Sequence, residues 1–247
     1  MKVISIVNQK GGVGKTTTTI NLGAGLSRAG KKVLLIDIDP QASLTASLDV
    51  EDPDSNLYQV FNEEKTLKEV IKKHREFDII PADITLADVE SNTNYEAYNV
   101  LKRGLKSIAN YDYVLIDCPP SLGVFTTNSF IASDFVLIPV QTEFLSVRGF
   151  DQLIKGFEKI KDNGNDKLEI MGAVFTLFDQ RRTLDKLSIK SLLKEDIHIF
   201  NTFIRRSVDL AEAPLRKQTI FEYNKNGKGA EDYSDLTNEV LKWEKRN

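Results

Sequence analysis

Residues 3–17 constrain this chain more than any other stretch. Val3-Ile4-Ser5-Ile6-Val7 is a short apolar run that leads directly into Asn8-Gln9-Lys10-Gly11-Gly12-Val13-Gly14-Lys15-Thr16-Thr17. A strand that ends in glycines and reopens as a helix at Gly-Lys-Thr aims several backbone N–H groups at one point near the positive helix end, an arrangement that holds phosphate oxygens. Gly11, Gly12, Val13 and Gly14 are expected to form that cradle. Lys15 is expected to pair with the β- and γ-phosphates of ATP, the Thr16 hydroxyl to ligate Mg2+, and Thr17 to reach the α-phosphate. The spacing departs from G-x-x-x-x-G-K-[ST] at Gln9, where that pattern has glycine, and a second lysine, Lys10, precedes the glycines.

Short apolar runs alternate with longer amphipathic stretches along the 247 residues, which predicts an α/β fold: one twisted, mostly parallel sheet with helices on both faces. Strands are expected near 2–8, 32–38, 78–81, 112–117, 134–140 and 169–177. Helices are expected near 15–29, 95–109, 145–161, 183–195 and 230–245, with shorter pieces between 56 and 92. Two of the strands deliver acids at their carboxyl ends, the edge where ligands sit in open α/β sheets. Val33-Leu34-Leu35-Ile36 is followed by Asp37-Ile38-Asp39, and Val114-Leu115-Ile116 by Asp117. Asp117 is expected to hold Mg2+, and Asp39 to face the phosphates. Asp37 is expected to be a structural acid.

Taken together, Asn8–Thr17 resembles the deviant Walker A loop of the ParA/MinD class, whose members include the ParA/Soj partition ATPases. In that class the extra lysine crosses a dimer interface to the partner's phosphates, so the resemblance implies that role for Lys10, beside Lys15 and Asp39, in catalysis. Pro119-Pro120-Ser121-Leu122-Gly123 is similar to the family's second switch, and Ile138–Glu143 to the segment after its fifth strand. Thr176–Arg181 resembles the stretch that approaches the adenine base, implying a contact from Asp179. Leu210-Ala211-Glu212-Ala213-Pro214 resembles the family's Ser-Glu-Ala-Pro loop, implying a base contact from Pro214; the glycine usual later in that loop is replaced by Lys217. The resemblance spans essentially the whole chain and implies the short Soj-like type, one P-loop ATPase domain over 1–247 without an N-terminal DNA-reading domain.

It also implies slow, partner-stimulated ATP hydrolysis, a homodimer in the ATP state that binds DNA without sequence preference, a ParB-like centromere-binding partner, and a cytoplasmic, nucleoid-associated location. The net charge of −3 means that any DNA contact needs a local basic patch. Arg181, Arg182, Lys186, Arg205, Arg206, Arg216 and Lys217 concentrate such charge in the C-terminal third. The rival within the superfamily is a MinD-like switch that binds membrane through a C-terminal amphipathic helix. Leu236, Val240 and Trp243 do share one helical side, but Asp235, Glu239 and Glu244 dilute its cationic character, so no membrane contact is expected. The single cysteine, Cys118, excludes an internal disulfide and cannot supply the cysteines of a nitrogenase-iron-protein-like cluster. A nucleotide-gated scaffold without hydrolysis is the non-enzyme alternative, and Asp39 argues against it.

Overall fold

A computed structural model describes residues 1–50, 52–53, 55–91, 95–141, 147–178 and 196–245. Its centre is an eight-stranded sheet built from β1 (Lys2–Ile6), β2 (Val33–Asp37), β3 (Lys72–Lys73), β4 (Asp78–Ile80), β5 (Tyr113–Asp117), β6 (Phe135–Gln141), β7 (Glu169–Phe178) and β8 (Ile199–Arg205). The order across the sheet is β3-β4-β2-β5-β1-β6-β7-β8. Every pairing is parallel except β3 with β4. The α/β expectation is met, with helices on both faces.

The central strands are covered on both sides because apolar side chains alternate onto both faces of the sheet. Leu34, Ile36, Val114 and Ile116 pack on one face with Phe125, Phe130 and Leu153. Leu35, Leu115, Ile4 and Ile6 pack on the other with Leu22, Leu26, Leu236 and Val240. That second face is closed by helix Lys15–Arg28 lying against the C-terminal helix Lys228–Glu244. The two approach closely enough that a Cβ on Gly25 would lie 2.1 Å from Thr237 Oγ1, so the crossing requires glycine there.

Several elements differ from the sequence expectation. Helix 95–109 is a 3-10 turn, Tyr95–Asn99, followed by a short α-helix, Val100–Leu105. Helix Val124–Ala132 was not foreseen. Its Thr126-Thr127-Asn128-Ser129 run carries no helical polar face, and Asn128 and Ser129 are buried and satisfied internally: Asn128 Nδ2 donates to Val124 O, and Ser129 Oγ to Phe125 O. β8 was also missed, because Asn201 and Thr202 interrupt its apolar alternation; Glu239 on the C-terminal helix accepts hydrogen bonds from both. The helix expected at 183–195 lies outside the described residues.

Candidate functional site

The carboxyl ends of β1, β2, β5, β7 and β8 surround a cleft of about 500 Å3. Its lining includes Gly11, Gly12, Gly14, Lys15, Thr16 and Thr17 from the first loop and helix. Gly12 and Gly14 have φ of 74° and 84°, values at which a side chain is strained. Gly14 is the N-cap of helix Lys15–Arg28, so the loop turns into the helix with its N–H groups facing the cleft end. No heavy atom lies within 4 Å of where a Cβ on Gly11 or Gly12 would stand, which leaves the backbone approachable. Thr176 on β7 braces the loop from behind, its Oγ1 donating to Val13 O at 2.7 Å, while the Val13 side chain is buried.

The two lysines of the loop differ in setting. Lys15 is 8% exposed, and its Nζ donates to Lys10 O at 3.3 Å. Burial holds its pKa below the usual lysine value, against the opposing pull of Asp117. Lys10 is half-buried and reaches sideways, Nζ donating to Gln141 Oε1 at 2.9 Å at the end of β6. Asn8 fixes its backbone, accepting from Lys10 N at 3.0 Å while its own Nδ2 donates to Pro139 O at 2.7 Å.

The three acids differ in setting. Asp37 and Asp117 stand opposite one another in the β2–β5 register, both at the sheet edge and both buried. Asp37 is consumed locally: its Oδ2 accepts from Thr45 N and Thr45 Oγ1, both at 2.8 Å. Asp117 accepts from Thr16 Oγ1 at 2.7 Å and Thr19 Oγ1 at 3.2 Å. Burial, and then the facing Asp37, push the proton affinity of Asp117 well above the ordinary carboxylate range. The Asp117 carboxyl beside the Thr16 hydroxyl is an oxygen donor pair of the kind a small divalent cation takes. Among the described residues no cluster of three or more His, Cys, Asp or Glu side chains could hold a metal alone. The fit is therefore to Mg2+, which takes one or two protein oxygens and completes its shell with phosphate and water. Asp39 lines the cleft beside Gln41 and Ser43, and its Oδ1 accepts from Gln41 N at 2.9 Å. Cys118 is buried, and burial raises its thiol pKa, so it is no nucleophile.

The rest of the cleft is lined by Leu177, Ile204, Arg205, Ser207, Leu210, Ala211 and Tyr233. Pro214, expected beside the base, is half-buried in the 3-10 turn Ala213–Arg216 and does not line the cleft; Leu210 and Ala211 stand there instead. Asp179, Arg181, Arg182 and Lys186 lie outside the described residues. Arg205 was expected on a DNA-facing surface. Arg205 is half-buried, and its guanidinium is engaged by Asp232 and Glu231 of the C-terminal helix at 2.5 Å each. Lys217 Nζ donates to Ala46 O, the carbonyl at the end of the short helix Ser43–Ala46, so that cation also has an internal partner. Arg206 and Arg216 remain on exposed surface. Sequence reasoning missed Tyr233, which reaches the cleft from the C-terminal helix with its hydroxyl 3.2 Å from Thr18 Oγ1. No local motif marks it.

The C-terminal helix bears on the membrane alternative. Leu236 and Val240 are fully buried, and Trp243 packs edge-on against Phe135 with ring centroids 5.1 Å apart. Glu244 accepts a hydrogen bond from Tyr113. The apolar side that would enter lipid is occupied by the protein's own core. Among the described residues no helix is long and apolar enough to cross a membrane.

Comparison with known proteins agrees with this geometry. The family described as AAA domain matches residues 1–170. The sporulation initiation inhibitor protein Soj of Bacillus subtilis is 42% identical over 248 residues, covering 97% of this chain and 98% of Soj. The chromosome partitioning protein ParA of Caulobacter vibrioides is 38% identical, covering 99% and 96%. Among solved structures, a plasmid partition protein of Borrelia burgdorferi bound to AMPPNP superposes with a TM-score of 0.81 at 29% identity, covering 99% of this chain and 98% of that one. Cobyrinic acid a,c-diamide synthase of Mycobacterium smegmatis, bound to an ATP analogue and magnesium, superposes with a TM-score of 0.86 at 31% identity, covering 100% and 97%. That enzyme's name describes another reaction, so fold likeness alone does not select the activity. Full-length likeness to Soj and ParA, on a chain that carries the two-lysine glycine loop, does: the chain belongs to the ParA/Soj family of partition ATPases.

Proposed function

We propose that this protein is an ATP-dependent, dimerising switch ATPase that partitions plasmids or chromosomes, binding DNA without sequence preference in its ATP state and releasing it after partner-stimulated hydrolysis. One observation carries the reading: the glycine loop, Lys15, Thr16, Asp117 and Asp39 converge at one end of a single cleft. The N–H groups of Gly11–Thr17 and the Lys15 ammonium would hold the phosphates of ATP, and Thr16 and Asp117 would hold Mg2+. Bound Mg2+ supplies positive charge to phosphate oxygens as negative charge develops on them. Asp39, at the cleft wall, would orient water and accept its proton.

Lys10 is the dimer reporter in this reading. It reaches Gln141 within its own chain and would have to leave that partner to meet a second subunit's phosphates, so pairing would depend on what occupies the cleft. Arg206 and Arg216, both exposed, support a DNA contact of the sequence-independent, salt-sensitive kind, along with Arg181, Arg182 and Lys186. A ParB-like protein is the proposed trigger of hydrolysis, and a cytoplasmic, nucleoid-associated location follows from DNA binding.

The test measures binding to unrelated duplex DNA and to anionic liposomes in parallel, with ADP and with ATP, across a salt series. ATP-dependent DNA binding that weakens with salt supports the reading. Liposome binding without DNA binding overturns it in favour of the membrane switch. Asp39→Ala is expected to retain ATP, accumulate the dimer and lose turnover by roughly 100-fold or more; unchanged turnover would remove Asp39 from the chemistry.

A further inference from the structure

The end of the sheet opposite the cleft carries a groove of its own. The amino ends of β2 and β4, the turn before β4 and the loop that precedes β5 enclose about 840 Å3. Val33 lines this groove at the start of β2, while Asp39, just past the other end of that strand, lines the nucleotide cleft. Five cations, Lys31, Lys32, Lys68, Lys73 and Arg75, stand against two acids in its lining, Glu76 and Asp78.

Both acids are already engaged. Glu76 accepts from Arg28 Nη1 at 2.8 Å and from Thr219 Oγ1 at 2.7 Å. Asp78 Oδ2 accepts from Lys73 Nζ at 2.7 Å and from the Tyr111 hydroxyl at 2.6 Å. Arg75 leans on Asp49 and Glu222 over 3.7 Å and 3.4 Å. Lys31, Lys32 and Lys68 are exposed, and their ammonium groups have no partner among the described residues. Apolar faces line the same groove: Ile108 is buried, Ile71 is half-buried, and the His74 ring stacks on Phe77 with centroids 4.7 Å apart. Burial holds the His74 pKa below its ordinary value, so that ring adds no charge at neutral pH.

On a chain of net charge −3, a groove with three uncommitted ammonium groups selects an anionic partner. The apolar lining decides which kind. Duplex DNA is a stiff rod whose phosphates gain nothing from Ile71, Ile108 or Phe77, and it would ride on the rim. A flexible peptide that carries carboxylates and aliphatic side chains pairs with the lysines and covers the apolar lining in one stretch. We propose that this groove docks an acidic, partly apolar segment of a partner protein, held by Lys31, Lys32 and Lys68. A partner seated there leaves the nucleotide cleft open at the other end of the strands, so the inference does not depend on the reading of that cleft.

Fluorescence anisotropy of a labelled peptide repeating Glu-Glu-Leu tests it, beside a peptide repeating Glu-Glu-Ser and unrelated duplex DNA. The proteins are the intact chain, Lys31→Glu with Lys68→Glu, and the milder Lys31→Ala with Lys68→Ala. The leucine peptide is expected to bind the intact chain and to lose about tenfold in affinity on charge reversal, because like charges across a contact repel. The alanine pair should lose about threefold, the scale of removing two exposed ion pairs. The serine peptide keeps the charge without the apolar side chains and should bind the intact chain about tenfold more weakly than the leucine peptide. Thermal melts of both variants should match the intact chain, since the substituted side chains are exposed. Failure of the leucine peptide to bind the intact chain, equal affinity for the two peptides, or unchanged affinity in both variants overturns the proposal. DNA affinity that falls in the variants while neither peptide binds overturns it as well and assigns the groove to the phosphate backbone.

Discussion

The two ends of the cleft are built in opposite ways. The phosphate end comes from one contiguous segment, Gly11–Thr17, together with acids that close adjacent parallel strands. The other wall, where the proposed function puts the base, is assembled from β7, β8, the turn after it and the C-terminal helix, residues spread from Leu177 to Tyr233. The chemistry explains the difference. Phosphate needs converging N–H groups and a cation, and a strand–loop–helix unit supplies those from local geometry. A nucleobase needs shaped walls, which only packed side chains from several elements can provide.

Substitutions can break that contrast or sharpen it. The largest effect should come from the local end: Lys15→Ala is expected to cut ATP turnover by roughly 100-fold or more, the scale of removing one preorganised charge from a developing anion. Steady-state phosphate release measures it, and near-normal turnover would mean that the cleft is not the reaction site. A smaller effect should come from the link between the ends. Thr176→Val removes the donor to Val13 O and leaves a buried carbonyl unpaired, costing about 1–3 kcal/mol of stability and weakening ATP binding. Denaturant titration with and without nucleotide reads both. A loss of stability with ATP affinity intact would show that the loop holds its shape unaided.

The smallest effect concerns the base-side turn. Lys217 stands where the family usually has glycine, and it adopts φ 55° and ψ 42°, the left-handed conformation that glycine takes freely. The turn therefore keeps its shape at a backbone cost. Lys217→Gly should be more stable than Lys217→Ala by about 1 kcal/mol. Both variants lack the amine that donates to Ala46 O, so thermal melts of the pair isolate the backbone contribution, and equal melting points would refute it.

Local and periodic features carried what was legible in the chain. Apolar runs with β-branched residues placed six of the strands, and the glycine loop followed by Lys15 and Thr16 marked the phosphate end, because both depend on neighbours a few residues apart. The same signals could not find helix Val124–Ala132 or β8, whose polar residues are satisfied by partners brought in by folding, Glu239 among them. They also read the basic residues as one surface. Tertiary structure separated these, turning Arg205 onto Asp232 of the C-terminal helix, folding Lys217 back to Ala46 and leaving Arg206 and Arg216 exposed. It likewise buried Leu236 and Val240 against the sheet instead of presenting them to lipid. Where a charge finds its counter-charge, and which face of a helix finds the core, depends on segments distant in sequence. Only the packed chain holds that information.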